Sequence, residues 1–210
     1  MDTFNFLGLT LNRHLDWKDH IQTVSNKISS TLGVLNKLKN YVPQKALKLI
    51  YCSLILPRLY YCNLLWGYKP NRLIQLQKKA VHIVCKDKYN AHTDPLFKSQ
   101  GMLSIADIHT SKKLCFYYKF EKDKVPAYFW SYMFTANANN RIRNKDPYQP
   151  LTAKTTVFSE TIRFSLPHLL KSTPPNIKSK VITHSYNGFK KYVKTFFLSK
   201  YRELYETGML

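Results

Sequence analysis

Carboxylate side chains are scarce in this sequence, and none adjoins another. The chain has 12 Asp and Glu among 210 residues, and it contains no Asp-Asp pair. Phosphoryl transfer by a polymerase requires two metal ions held by closely placed carboxylates. The closest pairs of acids are Asp16 with Asp19, Glu121 with Asp123, and Glu203 with Glu206. Each pair falls at a predicted helix end or in a Lys-containing stretch, so we interpret these acids as caps and solvated charges. We predict no catalytic residue and no metal site.

The residue patterns of other active sites are missing as well. There is no Gly-x-Ser-x-Gly elbow, the six glycines are scattered, and the seven histidines do not cluster. The four cysteines include no Cys-x-x-Cys pair, which is typical of a reduced protein rather than a disulfide or zinc framework. We therefore predict a protein that is not an enzyme on its own, without cofactor or small-molecule substrate. We expect it inside the cell, in the nucleus or cytoplasm, and not secreted.

The charge balance indicates an anionic partner. Lys and Arg number 33 against 12 acids, a net charge of +21. Residues 43–91 hold nine Lys or Arg and one acid, and residues 134–183 hold eight and two, whereas residues 92–133 hold six and four. Such a localised excess of positive charge is typical of a protein surface that binds nucleic-acid phosphates or an anionic membrane.

The first basic segment alternates cations with aromatic residues. Its members are Arg58, Tyr60, Tyr61, Trp66, Tyr68, Lys69, Arg72, Lys78, Lys79 and His82. Cations neutralise phosphates and aromatic rings can stack on bases, but these rings adjoin leucines and can equally be core residues. Arg72, Lys79 and Lys86 recur every seven residues, which places them on one flank of a helix. The candidate nucleic-acid-binding residues are Arg58, Lys69, Arg72, Lys78, Lys79 and Lys86.

Most of the sequence has helical periodicity. Apolar residues at steps of three and four predict helices over residues 17–39, from Pro43 onward, and over 71–88. Pro57 should kink or break the second of these. Ser104 and Asp107 form a capping box for a helix reaching residue 122, and Ser185 should cap a final helix.

Two segments have strand character. Residues 4–11 predict a single short strand that must pair with a later segment, and residues 155–164 predict a second strand. The polar stretch 135–154 predicts a loop. The expected fold is mainly α: a helical bundle after a short N-terminal strand, with a small α+β C-terminal module.

A series of short motifs resembles the C-terminal region of non-LTR retrotransposon (LINE or jockey-like) reverse transcriptases. The motifs run in order along the chain: Phe6-Leu7-Gly8-Leu9-Thr10-Leu11 with Leu15-Asp16-Trp17; Leu56-Pro57-Arg58-Leu59-Tyr60-Tyr61; Leu76-Gln77-Lys78-Lys79-Ala80-Val81; Val125-Pro126-Ala127-Tyr128-Phe129; and Asn176-Ile177-Lys178 with Phe189-Lys190-Lys191. The resemblance implies a primer-grip-like strand at Leu7 and Gly8, followed by the thumb and a post-thumb region.

This resemblance supplies an organisation and a function as expectations. Residues 1–15 would be the palm edge, 16–91 the thumb-like bundle, 92–133 a connector and 134–210 a basic module. The fingers, palm and endonuclease of the family, with its catalytic Asp-Asp motif, would precede Met1. We expect a truncated RNA-directed DNA polymerase that retains sequence-independent binding to a template-primer backbone. The alternatives are an inert product of a decayed mobile element and a basic peripheral membrane-binding protein whose final helix carries Phe196 and Phe197.

Overall fold

The computed structural model describes residues 3–68, 70–87, 92–126, 128 and 153–206. The first strands and helices are β1 (Thr3–Phe6), β2 (Leu9–Asn12), α1 (Lys18–Leu38), α2 (Gln44–Ile50), a π-helical segment (Tyr51–Ile55), α3 (Leu56–Tyr60), α4 (Asn63–Trp66) and α5 (Asn71–Cys85). They are followed by α6 (Thr93–Ser99), α7 (Ile105–Glu121), α8 (Thr156–Glu160), α9 (Ile162–Ser172), α10 (Pro175–Thr183) and α11 (Tyr186–Glu206). The mainly α prediction is confirmed.

The chain forms two compact units, one made of residues 1–110 with 194–210, and the other of residues 111–193. The larger unit holds the N-terminal hairpin and helices α1 to α6. None of the helices in the described ranges is long and apolar enough to cross a membrane.

The N-terminal segment is a hairpin, so the prediction of one continuous strand over residues 4–11 was wrong. β1 pairs with β2 in antiparallel register, with Phe6 opposite Leu9. Leu7 (φ 47°) and Gly8 (φ 81°) both have positive φ and form the two-residue turn, the geometry that suits the twist of a tight hairpin. The strand therefore finds its partner within the next six residues and needs none further along the chain.

The hairpin is fastened to α1 through His20. The backbone N–H of Thr10 donates to His20 Nδ1 at 3.3 Å, and the imidazole meets the edge of Trp66 at 5.4 Å between ring centroids. Burial lowers the pKa of His20, because the charged imidazolium loses solvation. The neutral ring is also the form whose Nδ1 can accept this bond.

The core of the larger unit forms from the predicted apolar stripes. On α1 the buried side chains are Val24, Ile28, Leu32 and Leu35; on the α2-to-α3 stretch they are Leu47, Tyr51, Ile55 and Leu59; on α5 they are Leu73, Ala80, Val81 and Val84. Burying one large aliphatic side chain contributes roughly 1.5–3 kcal/mol. This spacing explains why the helices predicted over residues 17–39 and 71–88 form close to their expected bounds.

The second predicted helix passes Pro57 without breaking. Proline lacks an N–H, and its ring would press against a carbonyl one turn earlier in a regular α-helix. Here the preceding residues, Tyr51–Ile55, form a wider π turn, in which the N–H of Leu56 donates to the carbonyl of Tyr51. The π turn admits the proline, and α3 follows directly as helix.

A buried glutamine joins α5 to the start of α7. Gln77 Nε2 donates to Tyr51 Oη and to the carbonyl oxygen of Leu103, both at 2.9 Å, and its Oε1 accepts from the N–H of Ile105 at 2.7 Å. The predicted capping box is confirmed, since Ser104 Oγ accepts from the N–H of Asp107 at 3.2 Å. These bonds satisfy the first turn of α7, whose N–H groups have no partner within the helix.

The described residues of the smaller unit form helices joined by short turns and include no strand, so the predicted strand over residues 155–164 was wrong. Thr155 caps α8, because its Oγ1 accepts from the N–H of Phe158 at 3.2 Å, and α9 begins directly after Thr161. The threonines that raised the strand propensity act as caps at helix ends.

The buried side chains of this unit include Leu166, Leu170, Ile177, Val181, Phe189 and Val193. The predicted cap at Ser185 is confirmed, since its Oγ accepts from the N–H of Gly188 at 3.3 Å. The predicted loop 135–154 lies almost wholly outside the described residues.

Candidate nucleic-acid interface

Helices α1 and α5 lie side by side, and the residues paired at their two ends show that they run in the same direction. Near their starts, Arg72 Nη1 donates to Gln22 Oε1 at 2.6 Å. Near their ends, Asn36 and Lys79 line one cleft. The two observations place the exposed sides of α1 and α5 next to each other, and this paired surface is here called the groove.

The α5 side of the groove is cationic. Arg72, Lys79 and Lys86 are exposed and seven residues apart, which corresponds to roughly 10 Å along a helix. The residues of α5 include no Asp or Glu, and α1 contains only Asp19. Arg72 is bonded to a neutral amide rather than to a carboxylate, so its charge is not neutralised by that partner.

The α1 side of the groove is polar but uncharged. Exposed residues recur at steps of four and three along one face: Gln22, Asn26, Ser29, Gly33, Asn36 and Asn40. Gln22 Nε2 donates to Asn26 Oδ1 at 2.7 Å. A Cβ added at Gly33 would meet no atom within 4 Å. Amides can both donate and accept, so this stripe offers hydrogen bonds to phosphate and sugar oxygens. Charge and aromatic content do not reveal this stripe, although its spacing is present in the sequence.

The groove ends in a cleft of about 570 Å³, here called the terminal cleft. Its lining residues are Asn36, Lys39, Asn40, Lys79, His82, Ile83, Lys86 and Asp87. Lys39 and Lys86 are the C-cap residues of α1 and α5. Lys86 has a positive φ of 55°, a conformation that disfavours residues with a Cβ. Three lysines and one aspartate therefore line the terminal cleft.

Three of the predicted binding residues lie on the groove or in its terminal cleft, and a fourth lies close by. Arg72 flanks the groove, Lys79 and Lys86 line the terminal cleft, and Lys78 is exposed on the neighbouring part of α5. Their contact with nucleic acid stays a prediction.

The other predicted residues are placed differently. Arg58 Nη1 donates to the carbonyl of Lys27 at 2.6 Å and to Thr31 Oγ1 at 2.7 Å, so its guanidinium holds α3 against α1. Lys69 lies outside the described residues. Leu7 and Gly8 form the hairpin turn, where the carbonyl of Leu7 accepts from Tyr61 Oη.

The aromatic residues of the first basic segment divide between core and surface. Trp66 is fully buried, so its ring cannot stack on a base, whereas Tyr61 is 48 % exposed. No cluster of three or more potential metal ligands occurs within the part of the chain that the structure describes.

Comparison of the chain with protein-family models, with curated proteins and with solved structures found no match. The functional interpretation accordingly depends on the groove, on its charges and on the motifs of the sequence.

Proposed function

We propose that this protein binds the backbone of a nucleic-acid duplex along the groove, without sequence preference and without copying it. The observation that carries the proposal is the pairing of two parallel helices, one presenting cations and the other presenting uncharged hydrogen-bonding groups. The resemblance of the sequence to the thumb of LINE-type reverse transcriptases supports the same assignment, with an RNA–DNA or DNA duplex as the partner.

The cations along the α5 side of the groove are spaced over a length that suits a phosphate backbone. Arg72 and Lys86 are separated by 14 residues of sequence, or about 21 Å of helix. Successive phosphates of one strand rise about 3.4 Å each along the duplex axis, so the cations span roughly six phosphates. Phosphate contacts fix position and orientation but carry no base information, which accounts for the lack of sequence preference.

Salt titration of duplex affinity tests this proposal. Three phosphate contacts, by Arg72, Lys79 and Lys86, predict a slope of about −2.7 for the logarithm of the affinity against the logarithm of the salt concentration. Affinity measured by fluorescence anisotropy should therefore fall roughly 40-fold between 50 and 200 mM salt. A flat response, or no binding at low salt, would refute the proposal.

A matched pair of variants locates the contact. Lys79→Ala should weaken duplex binding and reduce the salt slope by about one unit. Lys98→Ala removes the same charge from the exposed surface of α6, and it should leave the slope unchanged. Equal effects of the two variants would place the interface elsewhere.

The proposal includes the absence of polymerase activity in this chain alone. The described residues contain no carboxylate cluster able to hold two metal ions. Primer extension by the purified chain, dependent on added Mg²⁺, would contradict this part of the proposal.

The membrane alternative is less well supported by the described residues. On the final helix α11, Phe189, Val193, Phe197 and Tyr201 are buried and Phe196 is half-buried, so the apolar side of this helix is packed largely within the protein. A membrane-surface helix needs an apolar face that is free to enter the lipid. Sedimentation with anionic liposomes tests this alternative directly.

A further inference from the structure

We propose that the terminal cleft binds a phosphate monoester carried on a nucleotide, such as the phosphorylated end of a strand lying in the groove. This inference rests on the proposed function, because it assigns a ligand to one end of the same interface. It goes beyond that function by predicting that the protein distinguishes a phosphorylated end from a hydroxyl end.

The charge of the terminal cleft matches a monoester better than a diester. Lys39, Lys79 and Lys86 contribute three positive charges and Asp87 contributes one negative charge. A phosphodiester carries one negative charge, whereas a phosphate monoester carries about −1.5 to −2 at pH 7. Elsewhere along the α5 side, the groove offers one cation for every two helical turns. The three lysines that line the terminal cleft therefore favour the more highly charged group.

The helix ends reduce this positive potential without reversing it. Both α1 and α5 finish at the terminal cleft, and each C-terminus has a partial charge of roughly −0.5. The two dipoles together offset about one of the lysine charges. The potential remains positive but modest, so we expect a preference of several-fold rather than of orders of magnitude.

The remaining lining residues suit the nucleoside part of the ligand. A volume of about 570 Å³ falls within the usual range for small-molecule sites, about 300–1,000 Å³. The amides of Asn36 and Asn40 can pair with either a donor or an acceptor on a base or a sugar. Ile83 is half-buried and provides apolar contact. Phosphate-binding charge, adaptable amides and an apolar contact therefore line one concave site.

The test compares two duplexes of identical sequence, one with 5′-hydroxyl ends and one with 5′-phosphate ends. With the full chain, we expect the phosphorylated duplex to bind about five-fold more tightly, the scale of one exposed charge pair. Adenosine monophosphate is added as a competitor in a parallel titration. Loss of the preference at millimolar competitor supports the monoester chemistry and shows that a free nucleotide also enters. Retention of the preference supports recognition of a strand end.

Charge-removing variants tie the preference to the terminal cleft. Lys86→Gly removes one ammonium group and also suits the positive φ at this position, so loss of folding is not expected. Lys39→Ala removes a second ammonium group. Both should abolish most of the five-fold preference. Lys98→Ala removes an exposed charge from α6 that does not line the terminal cleft, and it should keep the preference.

Two outcomes would separate failure of this inference from failure of the proposed function. Equal binding of the two duplexes by the unaltered protein would overturn the inference while leaving backbone binding intact. No binding of either duplex would overturn the proposed function. Titration with a short 5′-phosphorylated single strand alone, followed by NMR, then tests the terminal cleft by itself, and no shift at its residues would overturn the inference too.

Discussion

Gly33 permits a test in which stability and binding change in opposite directions. It lies in the middle of α1, on the uncharged stripe of the groove. Because a Cβ there would meet no atom within 4 Å, replacement by Ala or Glu causes no clash. Glycine inside a helix destabilises it by about 0.8–1.0 kcal/mol relative to Ala, and Glu is nearly as good a helix former as Ala. Gly33→Ala should therefore raise the unfolding free energy by about 1 kcal/mol, and Gly33→Glu by somewhat less.

The same glutamate should weaken duplex binding. A carboxylate about 7 Å from a phosphate in water repels it by roughly 0.6 kcal/mol. Two neighbouring phosphates give about 1.2 kcal/mol, which is roughly a seven-fold loss of affinity at low salt. Gly33→Ala adds no charge and should cause a much smaller loss.

Urea unfolding and fluorescence anisotropy measure the two effects separately. Val34→Glu is the matched control, because Val34 is 50 % exposed and is turned about 100° away from Gly33 on the helix. It should retain nearly full affinity. A well-folded Gly33→Glu protein that binds duplex as tightly as the Val34→Glu protein would refute the assignment of the groove.

Three further predictions concern the contacts that hold the groove in place. Gln77→Leu leaves three buried groups without their hydrogen-bond partner: the N–H of Ile105, the carbonyl of Leu103 and Tyr51 Oη. Because each such group costs about 1–3 kcal/mol, the unfolding free energy measured in urea should fall by at least ~3 kcal/mol. A fall below ~1 kcal/mol would contradict the network. Arg58→Ala removes two bonds to α1 and should lower the unfolding free energy by about 1–3 kcal/mol, with no more effect on duplex affinity than Lys98→Ala. A clearly larger loss of affinity would show that Arg58 also reaches the nucleic acid. Burial lowers the pKa of His20, so below about pH 6.5 the unfolded chain takes up a proton that the folded chain resists. The melting temperature should therefore fall between pH 7.5 and 5.5, and should fall less in a His20→Gln protein; identical falls would exclude His20 as a cause.

The sequence predicted the long helices well, because their apolar residues recur over many turns. Short segments were harder. The hairpin was missed because Leu7 precedes Gly8 in the turn, and leucine rarely adopts a positive φ. Thr155 and Thr161 raised strand propensity in a segment where threonine acts at helix ends. In each case a local side-chain or turn preference decided the structure, and apolar periodicity gave no information about it.

The candidate site was predicted in part, and for a physical reason. Charge and heptad spacing identified Arg72, Lys79 and Lys86, which all lie on the groove or in its terminal cleft. Neither charge nor spacing could show that the Arg58 guanidinium is hydrogen-bonded to α1, because that bond depends on which helices are neighbours in the fold. The uncharged stripe of α1 becomes meaningful only once α5 is known to lie parallel to it.

The π turn before Pro57 bears on how this chain can change in length. A π turn holds one residue more than a regular α turn, and the helices on either side keep their orientation. Loss of one codon within Tyr51–Ile55 would therefore leave Leu47 and Leu59 facing the core, provided that Pro57 is also replaced by a residue that a regular helix accepts. The same loss inside α5 would rotate every later side chain by about 100° and turn Lys86 away from the groove. Loss of a single residue is therefore tolerated best where the helix already carries one residue more than a regular turn.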